Sequence, residues 1–209
     1  MRALTVCNII KECFRGENIQ LQGIKENLVD LICADKPKLE SKKILRLAKK
    51  DAELSTGEKL EQLLSKMDKN VDYLLVTQLD SICWLLNIRG FDIKYSPLIL
   101  AYLIIKKTGE VYLFSDFVAE KIEGVEVLKL NQIKEFFIEL IISGSTIQAS
   151  TAVSYWFKET VGTGLFIKED IMESLKACKN EVEIENIKQT HFLDGLPYAG
   201  LYVARCPHR

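Results

Sequence analysis

Three polar side chains suited to recognition crowd one short stretch of this sequence: Asn87, Arg89 and Asp92, within NIRGFD. A guanidinium presents a planar fork of donors that matches a carboxylate or a peptide carbonyl, so Arg89 is the leading candidate for gripping a ligand. The competing structural role is an ion pair from Arg89 to Asp92 or Asp80 that pins the loop. Residue type leaves both open. Asn87 and Asp92 complete the set of substrate or interface candidates.

Catalytic chemistry is harder to assemble. The chain has two histidines. His191 stands one helical turn before Asp194, a spacing that allows a contact but equally suits a polar surface pair. His208 adjoins Cys206 near the end of the chain, and two ligands make no metal site. The six cysteines (Cys7, Cys13, Cys33, Cys83, Cys178 and Cys206) form no CxxC pair, and several sit in apolar stretches as small hydrophobes. Carboxylates such as Glu181, Glu183 and Glu185 spread along helix faces. There is no GxxxxGK[ST], GxGxxG, HExxH or GxSxG. No nucleophile has a base placed to orient it. The residues by themselves build no catalytic or metal centre.

The elements that must position the trio are clearer. VDYLLVT (71–77) reads as a buried strand, and a helix-forming segment carrying Cys83, Trp84, Leu85 and Leu86 follows. The segment breaks at Asn87, Gly90 can take a positive φ at little cost, and Pro97 biases Ser96 towards extended backbone. The candidates therefore fall on a loop closing a strand–helix unit, a frequent address of function in α/β proteins. LILAYLIIKK predicts a long strand, and Lys107–Glu110 a tight turn into VYLFSD, giving an antiparallel hairpin. VEVLKL predicts another strand. Asn131 is placed to cap a helix bearing Ile133, Phe136, Phe137, Leu140 and Ile141, which Ser143-Gly144 ends. STIQAS predicts a strand and 151–161 a helix with Val153, Trp156 and Phe157. GLFIKED leads to a helix capped by Asp170 and Glu173, and Asn180 with Glu183 opens the next. This alternation predicts an α/β fold with a mixed β-sheet flanked by helices.

Upstream, Ala3, Val6, Ile9, Ile10 and Cys13 recur at helical spacing, and Gly16 supplies a stop. Ile19 and Leu21 alternate as a short strand in NIQLQ, and Asn27 caps a brief helix through Ile32. A lone strand leaves both edges unpaired, so this piece either joins the following domain or lacks its partners. Pro37 and the charges after it suggest a linker. Ser55-Thr56-Gly57-Glu58 has capping-box spacing, and Leu60, Leu63, Leu64 and Met67 then share one helix face.

At 209 residues, 48% hydrophobic and 27% charged, the composition is that of a globular chain. A net charge of −1 gives no overall field for nucleic acid or anionic lipid, and the basic run 36–50 reads as a solvated helix face and linker. MRALTVCNIIKECF lacks a signal-peptide core, and the longest apolar run, 97–105, falls far below the roughly 18 residues of a membrane span. The expectation is a soluble cytoplasmic protein with neither membrane nor nucleic acid as partner.

WLLNIRGFDIKYSPLILAYLII resembles the middle domain of the cytosolic-type Xaa-Pro aminopeptidases (aminopeptidase P, peptidase family M24). KNEVEIENIKQTHFLDG is similar to the helix opening that family's catalytic domain, and ENLVDLI, Asp35-Lys36-Pro37 and STGEKLEQLLSKM are similar to its first-to-second domain join. The resemblance implies a creatinase N-terminal-like (ribonuclease H-like) domain at 37–168, preceded by a remnant of a first creatinase-like domain at 1–36. Helices opening the catalytic domain would occupy 169–195 and a divergent tail 196–209, where Pro197 and Gly200 are expected to break the helix. The implied activity is removal of an N-terminal residue that precedes proline. In the intact family enzyme it depends on two divalent metals, manganese or zinc, held in a pita-bread domain by two Asp, one His and two Glu. None of these ligands has a counterpart here, so the expectation is a truncated fragment with no cofactor of its own, catalytically incompetent alone, and His191 takes no catalytic role. Implied partners are a full-length relative or a second copy as a homodimer, with proline-containing peptides bound by the intact enzyme. The alternatives are a binding or regulatory module acting through the 87–92 loop, or a non-functional truncated product.

Overall fold

The computed structural model describes residues 4–19, 21–24, 27–33, 43–118 and 120–205, with backbone alone at 30, 198–200 and 202–205. In chain order the elements are α1 (Leu4–Cys13), α2 (Leu28–Ile32), β1 (Leu45–Arg46), α3 (Lys49–Ala52), α4 (Thr56–Lys66), β2 (Tyr73–Val76), α5 (Leu79–Leu85) and β3 (Ile88–Arg89). There follow β4 (Tyr102–Lys106), β5 (Val111–Phe114), β6 (Val125–Leu128), α6 (Ile133–Ile142), β7 (Ile147–Ser150), α7 (Tyr155–Val161), β8 (Leu165–Lys168), α8 (Ile171–Ala177) and α9 (Glu181–Arg205).

Six strands form one mixed sheet in the order β6-β5-β4-β2-β7-β8. β4 runs antiparallel to β2 and β5, whereas β2–β7, β7–β8 and β5–β6 are parallel. Helices cover both faces, which is why the central strands are apolar without alternation. Leu103 and Ile105 of β4 pack with Leu63 and Met67 at the end of α4, Ile82 and Leu85 of α5, and Met172 of α8. Ile104, between them, points the other way, into Phe137 of α6 and Phe157 of α7. Leu4 of α1 joins this second layer, and its N–H donates to the Val153 carbonyl at 2.7 Å. The first helix thus attaches to the sheet domain.

Local signals set most boundaries. Ser55 and Glu58 form the capping box, with Glu58 N–H to Ser55 Oγ at 3.2 Å and Ser55 N–H to Glu58 Oε2 at 2.7 Å. Asn27 and Asp170 cap their helices as expected, and Gly109 takes φ +104° in the β4–β5 turn.

Several expectations fail for identifiable reasons. Ile19 and Leu21 lie outside any strand, exposed, and no strand among the described residues pairs with them; Gln20 between them lies outside those residues. β4 starts at Tyr102 instead of Leu98 because backbone groups of 97–100 bond to the 90–92 loop. Gly90 and Asp92 donate to the Pro97 and Leu98 carbonyls, and Leu100 N–H donates to Asp92 Oδ2. Asn131 caps nothing: a 3₁₀ turn over Leu130–Gln132 leads into α6, closed by Lys129 N–H on Gln132 Oε1 at 2.8 Å. α7 begins at Tyr155, four residues late, because Ser150 turns the chain by accepting from Ala152 and Val153. GLFIKED holds a strand, β8, that extends the sheet beside β7. α9 continues through Pro197 to Arg205. One proline removes one hydrogen bond, and the flanking residues still propagate the helix. The join at 34–42 and the residues 206–209, with Cys206 and His208, lie outside the described residues.

Candidate functional site

β2 delivers the chain to α5, and α5 ends where Asn87 turns left-handed at φ +52°. Asparagine tolerates that region better than most residues. The turn lets Asn87 N–H donate to the Trp84 carbonyl at 3.4 Å, while the Asn87 carbonyl accepts from Leu47 N–H at 2.8 Å. β3 then pairs antiparallel with β1, Arg89 opposite Leu45. The candidate loop is therefore a two-stranded ribbon laid over the end of α5.

Arg89 is held by backbone. Its Nη1 donates to the Ile88 carbonyl at 2.8 Å and the Cys83 carbonyl at 3.2 Å, the second a cation on the last turn of α5. The anticipated ion pairs do not form among the described residues: Asp80 pairs with Lys176, and Asp92 caps Leu100 N–H at 2.8 Å. Gly90 does not use a positive φ. A β-carbon there would lie 2.3 Å from Ile99 Cγ2, so close approach explains the glycine. The positive φ falls instead on Tyr95, at +64°, which is 93% exposed at the tip of the following turn.

Residue type gave no warning of Lys59. Only 2% exposed, it sits inside α4 with Nζ donating to Asn87 Oδ1 at 2.7 Å and to the Trp84 carbonyl at 2.9 Å. The ammonium also lies 4.4 Å from the centre of the Trp84 ring. No carboxylate of the described residues stands within ion-pair distance of it. Desolvation pushes the group down to about 8, Glu183 opposes that shift, and Arg89 adds a smaller downward push. One signal could have found it: Lys59, Leu63 and Met67 follow at i, i+4 and i+8, so the lysine lies on the buried stripe.

Asn87 also lines a cleft of about 540 Å³ beside the start of α4, with Arg46, Ser55, Leu60, Ile88 and Ile122 among its walls. Arg89 and Asp92 do not reach this cleft. The structure thus brings one of the three candidates to a concave surface and uses the other two to shape backbone.

The residues present do not fit a metal pair. Among the described residues no three His, Cys, Asp or Glu side chains converge. The carboxylates with clear partners are engaged: Glu58 and Glu183 in capping boxes, Asp170 on α8 and Gln78, Asp72 on Thr146. His191 and Asp194 stand exposed on α9. Cys7, Cys13, Cys33, Cys83 and Cys178 are free thiols, and burial pushes that of Cys83 up. No helix is long and apolar enough to cross a membrane among the described residues.

Residues 35–183 match the family of creatinase/prolidase N-terminal domains. A probable Xaa-Pro aminopeptidase P of Laccaria bicolor is 30% identical over 190 residues, covering 84% of this chain and 29% of that protein. The Xaa-Pro aminopeptidase ApepP of Drosophila melanogaster is 30% identical over 191 residues, 85% of this chain and 31% of its own. The crystal structure of an X-prolyl aminopeptidase from Caenorhabditis elegans, a cytosolic enzyme with a di-nuclear active site, superposes with a TM-score of 0.83 at 22% identity. That superposition covers 98% of this chain and 37% of the other, and it confirms the α/β fold with its mixed sheet. The chain spans about a third of the length of the curated relatives it matches.

Proposed function

The chain belongs to the creatinase/prolidase N-terminal domain family, and from that premise we propose that it is the non-catalytic α/β body of a metal-dependent Xaa-Pro aminopeptidase. Such an enzyme removes the N-terminal residue that precedes proline. The family match over 35–183, together with the similarity to relatives named for that activity, is the observation that carries the proposal. In this reading 37–168 form the body, 1–36 belong to a preceding creatinase-like domain, 169–195 lead towards a catalytic domain, and 196–209 are divergent. Two divalent metals, manganese or zinc, would be held by residues other than those described here. The chain alone would be catalytically incompetent. It would act in the cytoplasm, with a full-length relative or a second copy as partner, and proline-containing peptides would meet the complete assembly.

A chimaera tests the proposal. Residues 35–183 replace the aligned segment of the Caenorhabditis elegans enzyme, and hydrolysis of an Xaa-Pro peptide is assayed with manganese. Retained, chelator-sensitive turnover is expected. A folded, metal-loaded chimaera without turnover would overturn equivalence of the two bodies.

The exposed turn after Gly90 favours a second reading, a docking module that uses the Asn87–Asp92 segment, because Phe91 and Tyr95 project from it. In that reading Arg89→Ala weakens association with a full-length relative. Unchanged affinity would remove it.

A further inference from the structure

The bonds around Lys59 close into a ring that reaches across four separate segments. Lys59 Nζ donates to Asn87 Oδ1, and Asn87 Nδ2 donates to the Leu54 carbonyl at 2.8 Å. Leu54 N–H bonds back to the Ala52 carbonyl at 2.7 Å, a tight turn centred on Glu53 at φ +60°, ψ −58°. The Ala52 carbonyl also accepts from Asn180 Nδ2 at 3.2 Å. Asn180 and Glu183 then cap α9 reciprocally: Asn180 N–H to Glu183 Oε2 at 3.1 Å, and Glu183 N–H to Asn180 Oδ1 at 2.7 Å. Glu183 Oε1 accepts from Trp84 Nε1 at 3.1 Å, and the Trp84 carbonyl returns to Lys59 Nζ. One further bond, Asn186 Nδ2 to the Asp51 carbonyl at 3.0 Å, ties the second turn of α9 to α3.

Two features make the ring unusual. A buried ammonium without a carboxylate in contact is expensive, and a non-glycine residue centred in a positive-φ γ-turn is strained; both persist only where the surroundings over-determine them. Beyond its base, the described side chains of α9 make little use of the domain: Phe192, Leu193 and Leu196 are exposed. Its 25 residues span about 37 Å, so a 10° change at the base carries the far end about 6 Å.

We propose that the Lys59–Asn87–Asn180–Glu183–Trp84 ring is a positioning latch that fixes the direction in which α9 leaves the sheet domain. Lys59 is its pin, holding the last turn of α5 so that the Trp84 indole N–H faces Glu183. The latch stands on this chain's own geometry, whatever the activity of a complete assembly.

Amide hydrogen exchange on the full chain tests it with two variants, Trp84→Phe and Lys59→Met. Trp84→Phe keeps an aromatic face over Lys59 and deletes the bond to Glu183. The expected result for both is exchange at residues 184–190 at least tenfold faster than in the parent, with β2, β4 and β7 changed by less than threefold. Unchanged protection at 184–190 in Trp84→Phe would overturn the latch. So would equal acceleration in the strands and in α9, which would make these residues ordinary packing. Should Lys59→Met fail to fold, Trp84→Phe alone decides.

Discussion

Gly90 runs so close to Ile99 that a β-carbon on it would overlap the Ile99 Cγ2 atom at 2.3 Å, with the Leu98 carbonyl oxygen at 3.1 Å on another side. That contact welds the 90–92 loop to the segment leading into β4. Gly90→Ala is expected to lower stability by about 1–3 kcal/mol through overpacking, read as a lower denaturation midpoint at unchanged slope. Tyr95→Gly, at the exposed positive-φ tip, should stay within about 1 kcal/mol of the parent, since relief of strain offsets added chain entropy. A tolerated Gly90→Ala would contradict the contact.

Arg89 acts on carbonyls, not on Asp80 or Asp92. Arg89→Ala is expected to cost about 1–3 kcal/mol, a charged hydrogen bond's worth. In a double-mutant cycle with Asp92→Asn the coupling should fall below about 0.5 kcal/mol. A coupling well above that would restore the ion pair that the sequence suggested.

Lys59 should leave a signature in alkaline solution. Its folded value of about 8 lies below the unfolded value of about 10.4, so between these the unfolded chain binds more protons and stability rises with pH. The gain is on the order of 3 kcal/mol and levels off only above the unfolded value of about 10.4. Lys11 and Lys106 are shifted up by Tyr155 and Glu110, and their contribution is lost only above the ordinary lysine range. Denaturation at pH 7.5 and 9.5, in the parent and in Lys59→Met, isolates the effect. Buried Cys83, its thiol pushed up, lowers stability over the same range in both chains, so the parent should gain stability relative to the variant; parallel behaviour would refute the assignment.

The capping box opening α4 should fail in acid. Hydrogen bonds from the Ser55 backbone and hydroxyl, then from Lys49, hold the Glu58 carboxyl down at about 2. Its contribution is present above about pH 4.3 and is lost as pH falls towards 2. Ser55→Ala should cost about 1 kcal/mol at neutral pH and less near pH 2. A cost independent of pH would contradict the reciprocal cap.

Signals that act within a few residues were legible in the sequence. Ser55 with Glu58, Asp170, Asn180 with Glu183, and Gly109 each fix a local geometry that neighbours need not supply. What failed depended on distant partners. Whether Ile19 and Leu21 or residues 165–168 enter a strand is decided by a neighbouring strand, present for β8 and, among the described residues, absent for Ile19. Pairing with the 90–92 loop shortens β4, a relation between segments that no window of sequence displays. Residue type and loop position single out Asn87 as a candidate, and the structure sets it on a cleft, whereas a lysine such as Lys59 reads as surface. Only its place on the Leu63–Met67 stripe marks it as buried.

The purified chain decides whether this family body has, as proposed, no catalytic activity of its own. Hydrolysis of an Xaa-Pro peptide is followed with added manganese or zinc, with and without a chelator. No turnover above the metal-only blank is expected. Proline-specific release of the N-terminal residue that a chelator abolishes would contradict it.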